Sequence, residues 1–297
     1  MSPTETDEAE IEASRAPLMD HLIELRGRLV VCVVSFLVAF IGCFYFAADI
    51  QIWLIKPFQA AYAMHSVAQA AGGHGTNPFE LIAVTSGLHP FPTGADANVT
   101  LQATEPLEQL FTKMKVAGFG AIVVVFPILA WQLYKFVAPG LYRNEKGAFL
   151  PFLFVAPILF LVGAALVYFV MLPFVMWFSL SQQISAEGIV VELNTKISGY
   201  LSLVTSLMLA FGLCFQLPVV TTLLGMAGIV TSKMMSEFRR YAIVAVVVVA
   251  AVVTPPDPIS QLMLAVPLVL LYEISIWCVR IIEFRRKKAD EAEGLTA

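Results

Sequence analysis

Charge is scarce in this chain. Asp, Glu, Lys and Arg make up 13% of its 297 residues and apolar residues 59%, where a soluble domain carries about 25% charged residues. An ordinary cytosolic globule is excluded. The four cysteines, Cys32, Cys43, Cys214 and Cys278, all fall in apolar stretches and lack paired spacing, so neither a disulfide framework nor a metal centre is indicated. The N-terminus has no basic segment before a short apolar core; it is acidic instead, with Glu5, Asp7, Glu8, Glu10 and Glu12. A cleavable signal peptide is therefore not expected. There is no His-Glu-x-x-His, no P-loop, no pair of intramembrane aspartates and no nucleophile with a partnered base. The chain is expected not to be an enzyme and to need no cofactor. With a net charge of −4, nucleic acid is not an expected partner.

What the chain has instead is apolar runs. A spanning helix needs roughly 20 predominantly apolar residues, and such runs lie at about Leu29 to Phe46, Val116 to Phe136, Phe149 to Leu172, Leu201 to Leu224, Tyr241 to Thr254 and Ile259 to Val279. The expected fold is an all-α polytopic membrane protein of six transmembrane helices, the fifth and sixth of them short. Residues 1–17 read as an acidic disordered tail, 18–284 as the membrane domain and 285–297 as a second tail. No self-similar halves are visible, so an inverted repeat is not supported.

Orientation follows from Lys and Arg, which are retained on the cytoplasmic side. Fourteen fall on one side of the six runs, from Arg15, Arg26 and Arg28 to Arg285, Arg286, Lys287 and Lys288; the other side has Lys56, Lys113, Lys115 and Lys196. Both termini are thus expected in the cytoplasm. The external loops are about 47–115 and 173–200. The first holds His65, His74 and His89, whose spacings match no compact ligand motif, so they read as solvated. The second admits an amphipathic helix near Leu172 to Gln182, and Pro255-Pro256-Asp257-Pro258 makes a tight external corner.

Before the first span, Leu18, Leu22, Leu25 and Leu29 recur at helical spacing, an apolar stripe that suits an amphipathic helix at the cytoplasmic surface. Glu24 stands four residues before Arg28, and an i,i+4 pair is its plain structural reading. After the second span comes Trp131-Gln132-Leu133-Tyr134-Lys135-Phe136-Val137-Ala138-Pro139-Gly140-Leu141-Tyr142, followed by Glu145. Aromatics there read as interfacial anchors and Pro139-Gly140 as a helix stop. Gln216 is a polar residue in the fourth span that can hydrogen-bond a neighbouring helix. Glu273 is the acid inside a predicted span, and a pair with Arg280 is its plain reading. An intramembrane acid also admits a proton-coupled small-molecule transporter as the rival function.

Taken together, His21-Leu22-Ile23-Glu24-Leu25-Arg26, then Phe136-Val137-Ala138-Pro139-Gly140-Leu141-Tyr142 with Glu145, then Thr254-Pro255-Pro256-Asp257 with Ser260-Gln261 and Leu271-Tyr272-Glu273, resemble the TatC family of the twin-arginine protein translocase. The resemblance implies a receptor in the bacterial inner membrane that binds twin-arginine signal peptides at the cytoplasmic face. It also implies single-span partners, TatA and TatB, self-assembly into a multimeric receptor in the lipid bilayer, and export of folded proteins by the proton motive force. On the same ground Glu24 and Glu145 receive the two arginines, with Arg26, Phe136, Pro139, Leu141 and Tyr142 around them. Gln216 matches a position linked to partner-helix contact, and Pro57, Asp257, Gln261 and Glu273 match further family positions. A guanidinium is planar, always charged and matched to a carboxylate fork, so two carboxylates suit two arginines.

The orientation has a direct test: a cysteine placed in Gly72 to Gly75 should react with an impermeant thiol reagent from outside, and one near Asp290 should not. The reverse labelling would invert the topology.

Overall fold

The computed structural model describes residues 5–70, 77–90, 101–103, 105–137, 146–182, 184–186, 189–191, 195–226, 228–253 and 258–292. Helix α1, Glu5–Tyr45, is followed by α2, Ala47–Ala70, α3, Pro78–Thr85, and α4, Glu108–Val137. Helix α5, Lys146–Leu166, passes through a π-turn, Val167–Met171, into α6, Leu172–Ser181. A two-strand antiparallel hairpin, β1 (Ile184–Ala186) and β2 (Ile189–Val191), follows. The chain ends in α7 (Ile197–Cys214), α8 (Leu217–Met226), α9 (Ser232–Glu237), α10 (Arg239–Val253) and α11 (Pro258–Ala292).

Among the described residues five stretches are long and apolar enough to cross a membrane: Ile23–Tyr45, Glu108–Leu133, Phe154–Ser181, Ile197–Met226 and Gln261–Arg285. They overlap the first, second, third, fourth and sixth of the expected runs. The fifth run is α10, whose 15 residues rise only about 22 Å. The sixth helix is not short as expected. Neither Pro267 nor Glu273 interrupts α11, which continues for 35 residues, because the proline costs one rung and the acid finds a partner, described below.

The amphipathic segment before the first span runs into it without a break, since nothing between Glu5 and Tyr45 ends α1. Two further differences have local causes. The third span does not stop at Leu172. The π-turn takes up one extra residue, Leu172 N–H closing on the Val167 carbonyl, so Pro173 falls in the first turn of α6, where its missing N–H is harmless. The fourth span is broken at Phe215 and Gln216 between α7 and α8, since Pro218 cannot donate to the carbonyl of Cys214. Within the stretch 47–115, α2 buries Leu54, Phe58, Ala60, Ala61, Ala63 and Met64. Burial lowers the pKa of His65 on that helix.

The core is set by close approach of backbones. Phe160 of α5 is fully buried and stacks on Phe126 of α4, with centroids 4.2 Å apart. A Cβ on Gly212 of α7 would lie 2.6 Å from its ring, and one on Gly163 of α5 would lie 2.8 Å from the Phe211 carbonyl oxygen. Each helix thus offers a glycine to the other's phenylalanine. Between α1 and α4 the fit is looser, with Gly120 under the Cys43 sulfur, 3.1 Å from where a Cβ would stand. In lipid there is no hydrophobic drive between helices, so small residues that let backbones approach supply the packing.

Gly212→Ala should therefore overpack the α5–α7 contact and cost about 1 to 3 kcal/mol, seen as a lowered melting temperature of the detergent-solubilised protein. Phe160→Leu added to it should recover part of the loss. Undiminished stability of the single variant would show that the contact can relax.

Candidate functional site

Glu24 lies at the start of the apolar part of α1, Ile23–Tyr45. Arg28, four residues on, reaches back to it: Nε donates to the Glu24 Oε1 at 3.2 Å and Nη2 bonds the same oxygen. The i,i+4 pair expected from the sequence is thus present, with the Arg28 side chain 19% and the Glu24 side chain 38% exposed. Arg26, between them, is exposed.

The register of α1 against α4 decides what stands beside these residues. Gln109 near the start of α4 donates to Gln51 just beyond the end of α1, at 3.2 Å, so the two helices run antiparallel. From the Cys43–Gly120 contact, seventeen residues back along α1 is Arg26 and seventeen forward along α4 is Val137, the last residue of the helix. Glu24 and Arg26 are therefore level with the end of α4, whose last turn holds Phe136 and where Lys135 sits over the Trp131 ring at 5.1 Å. Pro139, Leu141, Tyr142 and Glu145 lie outside the described residues, as does Asp257.

Gln216 occupies the break between α7 and α8 and donates through Nε2 to the Ala156 carbonyl of α5 at 2.8 Å. Gln261 donates to the Val247 carbonyl at 3.4 Å and so ties α11 to α10. Glu273 does not pair with Arg280. Seven residues along one helix is a rise of about 10 Å, and Arg280 lies over the Trp277 ring at 5.7 Å. Glu273 pairs with Arg239 at the start of α10 in a bidentate fork, Nε to Oε1 at 2.7 Å and Nη2 to Oε2 at 2.9 Å. Three more bonds fasten α9 to α11: the Tyr272 hydroxyl donates to the Met235 carbonyl at 2.8 Å, and the Glu283 carboxylate accepts from the Ser232 N–H at 2.8 Å and from its hydroxyl. Arg239, Ser232 and Glu283 were not singled out by sequence reasoning, because each owes its partner to a helix more than thirty residues away.

The fold and the paired charges at the helix ends define a multi-pass helical membrane protein. The chain belongs to the TatC family: residues 20–267 match the family described as Sec-independent protein translocase protein (TatC). It is 38% identical over 279 residues to a Sec-independent protein translocase protein TatC of Magnetococcus marinus, covering 94% of this chain and 89% of that one. It is 36% identical over 276 residues to the one of Haemophilus influenzae, covering 93% and 92%. A solved structure described as the twin arginine translocase receptor TatC superposes with a TM-score of 0.69 at 30% identity, covering 88% of this chain and 98% of that one. The protein is thus a component of a Sec-independent protein translocase.

Because the Arg239–Glu273 fork is partly solvent-exposed, its worth is small. A double-mutant cycle of Arg239→Ala and Glu273→Ala should give a coupling of about 0.2 to 1 kcal/mol in thermal unfolding. The same cycle with Arg280→Ala should give none. Coupling to Arg280 in place of Arg239 would contradict the assigned pair.

Proposed function

We propose that this chain is the receptor subunit of the twin-arginine translocase, set in the bacterial inner membrane with both termini in the cytoplasm. It binds twin-arginine signal peptides at the cytoplasmic face. It assembles with further copies of itself and with the single-span subunits TatA and TatB, and it exports folded proteins at the expense of the proton motive force. Support comes chiefly from the antiparallel register of α1 and α4, which, counted from the Cys43–Gly120 contact, puts Glu24 and Arg26 at the level of the end of α4, just before the segment that carries Pro139, Leu141, Tyr142 and Glu145.

The energetics suit exchange. Arg28 holds Glu24 by an i,i+4 pair of about 0.2 to 0.5 kcal/mol, while a charge-assisted bond to an incoming guanidinium contributes about 1.5 to 3 kcal/mol. The signal peptide therefore displaces the resident arginine at little cost. A second arginine on the same peptide meets Glu145 at a high effective concentration. Gln216 and Gln261 are assigned to partner-helix contact and to the α10–α11 edge. The small-molecule transporter reading loses its main residue, since Glu273 is engaged by Arg239.

Glu24→Ala or Glu145→Ala should weaken precursor binding about ten- to a hundred-fold, the equivalent of one lost contact of about 1.5 to 3 kcal/mol, with the fold intact. Replacing the precursor's two arginines by lysines should also weaken binding, because the fork geometry is lost. Equal affinity for twin-lysine and twin-arginine peptides in a membrane binding assay would overturn the mechanism.

A further inference from the structure

Pro57 sits in the middle of α2. It has no N–H to give the Trp53 carbonyl four residues back, and its ring crowds the carbonyls of the preceding turn. On a buried helix those groups need other partners. Both are supplied from distant parts of the chain. The Tyr168 hydroxyl, from the π-turn, donates to the Trp53 carbonyl at 2.9 Å. The Tyr200 hydroxyl, from the first turn of α7, donates to the Leu54 carbonyl at 2.9 Å. The rings are held as firmly as the hydroxyls. Tyr168 lies flat on Trp53, with centroids 4.1 Å apart and planes within 1°, and Tyr200 packs on Phe58 at 5.2 Å. Both tyrosines are buried.

We infer that Pro57, Tyr168 and Tyr200 form a latch, in which the Tyr168 hydroxyl takes the carbonyl that the proline leaves bare, the Tyr200 hydroxyl takes the next one, and the two together lock α2 onto the third and fourth spans. An unbroken helix satisfies its own backbone whatever it touches. Here the carbonyl at the break takes its bond from a side chain of another element, so the integrity of α2 depends on its being docked. The π-turn belongs to the same device, because π-turns within helices tend to stand at functional positions. Closing this one to a regular turn would rotate Tyr168 by about 100° around its helix and withdraw its hydroxyl. Tyr168 and Tyr200 are positioning residues. Resting on the proposed receptor function, the latch serves the transport step at the side opposite the signal-peptide contact and leaves precursor binding alone.

The test uses the full chain assembled with its partner subunits. Pro57→Ala restores the amide that the Trp53 carbonyl lacks, so it makes Tyr168 redundant. Tyr168→Phe should lower the melting temperature by several degrees in the presence of Pro57 and hardly at all in the Pro57→Ala background. Transport of a twin-arginine precursor should fall severalfold in Tyr168→Phe with binding unchanged, and recover in the double variant. Equal melting shifts in both backgrounds, or a transport loss that the double variant does not recover, would overturn the latch. If Tyr168→Phe fails to fold, folding of the double variant supports the latch and failure of both overturns it. A wild-type chain that binds no twin-arginine precursor would refute the receptor reading and leave the melting comparison valid.

Discussion

Inside a bilayer a backbone carbonyl or amide without a partner has no water to turn to, and each one left bare costs several kcal/mol. That constraint accounts for the long spans, and burial against protein makes the same demand of backbone groups outside them. Where Pro57 opens α2, two tyrosine hydroxyls enter. Where Pro218 ends α7, the side chain in the break, Gln216, reaches out to the Ala156 carbonyl. Where α9 starts, the Glu283 carboxylate takes the Ser232 N–H. The polar side chains that join the helices of this protein are in large part spent on backbone groups.

The second requirement is contact. Lipid tails are as apolar as leucine, so helices stay together only where they fit better against each other than against lipid. The Gly163–Phe215 and Gly212–Phe160 oppositions give α5 and α7 such a fit. Helix α1 is different: no residue in its spanning stretch is buried, and it is held along one side by α4. Its lower end carries Glu24 and Arg26, so the proposed peptide contact hangs on the least embedded of the spans.

The composition and the apolar runs made the fold class and the positions of the spans readable, because the length of an apolar run is itself the physical requirement for crossing. Bounds slipped where a proline was absorbed by a π-turn at Val167–Met171 or forced a break at Phe215; hydropathy does not register backbone phase. The helical character of 47–70 was missed because the stretch is not apolar enough for a span and Pro57 reads as a helix stop, whereas α2 is held by burial against its neighbours. Glu24 and its partner Arg28 were legible, since i,i+4 neighbours are a property of the helix alone. The partner of Glu273 was not, because Arg239 reaches it only through the packing of α10 against α11. Pro57 inside a helix announces a carbonyl in need of a donor, but nothing in the sequence says that Tyr168 and Tyr200 supply it.

The brevity of α10 has a bearing on assembly. As a crossing helix of 15 residues it falls about 8 Å short of a hydrocarbon core about 30 Å thick. Tilting only shortens its reach, and Arg239 at its start is committed to Glu273. The lipids alongside must compress, at fractions of a kcal/mol per ångström. A collar of compressed lipid is an elastic cost that two short helices lower by standing together. If α10 crosses as the fifth span, any short-helixed neighbour would be drawn toward its edge by the bilayer itself, an attraction that needs no shape complementarity and grows with the thickness of the membrane.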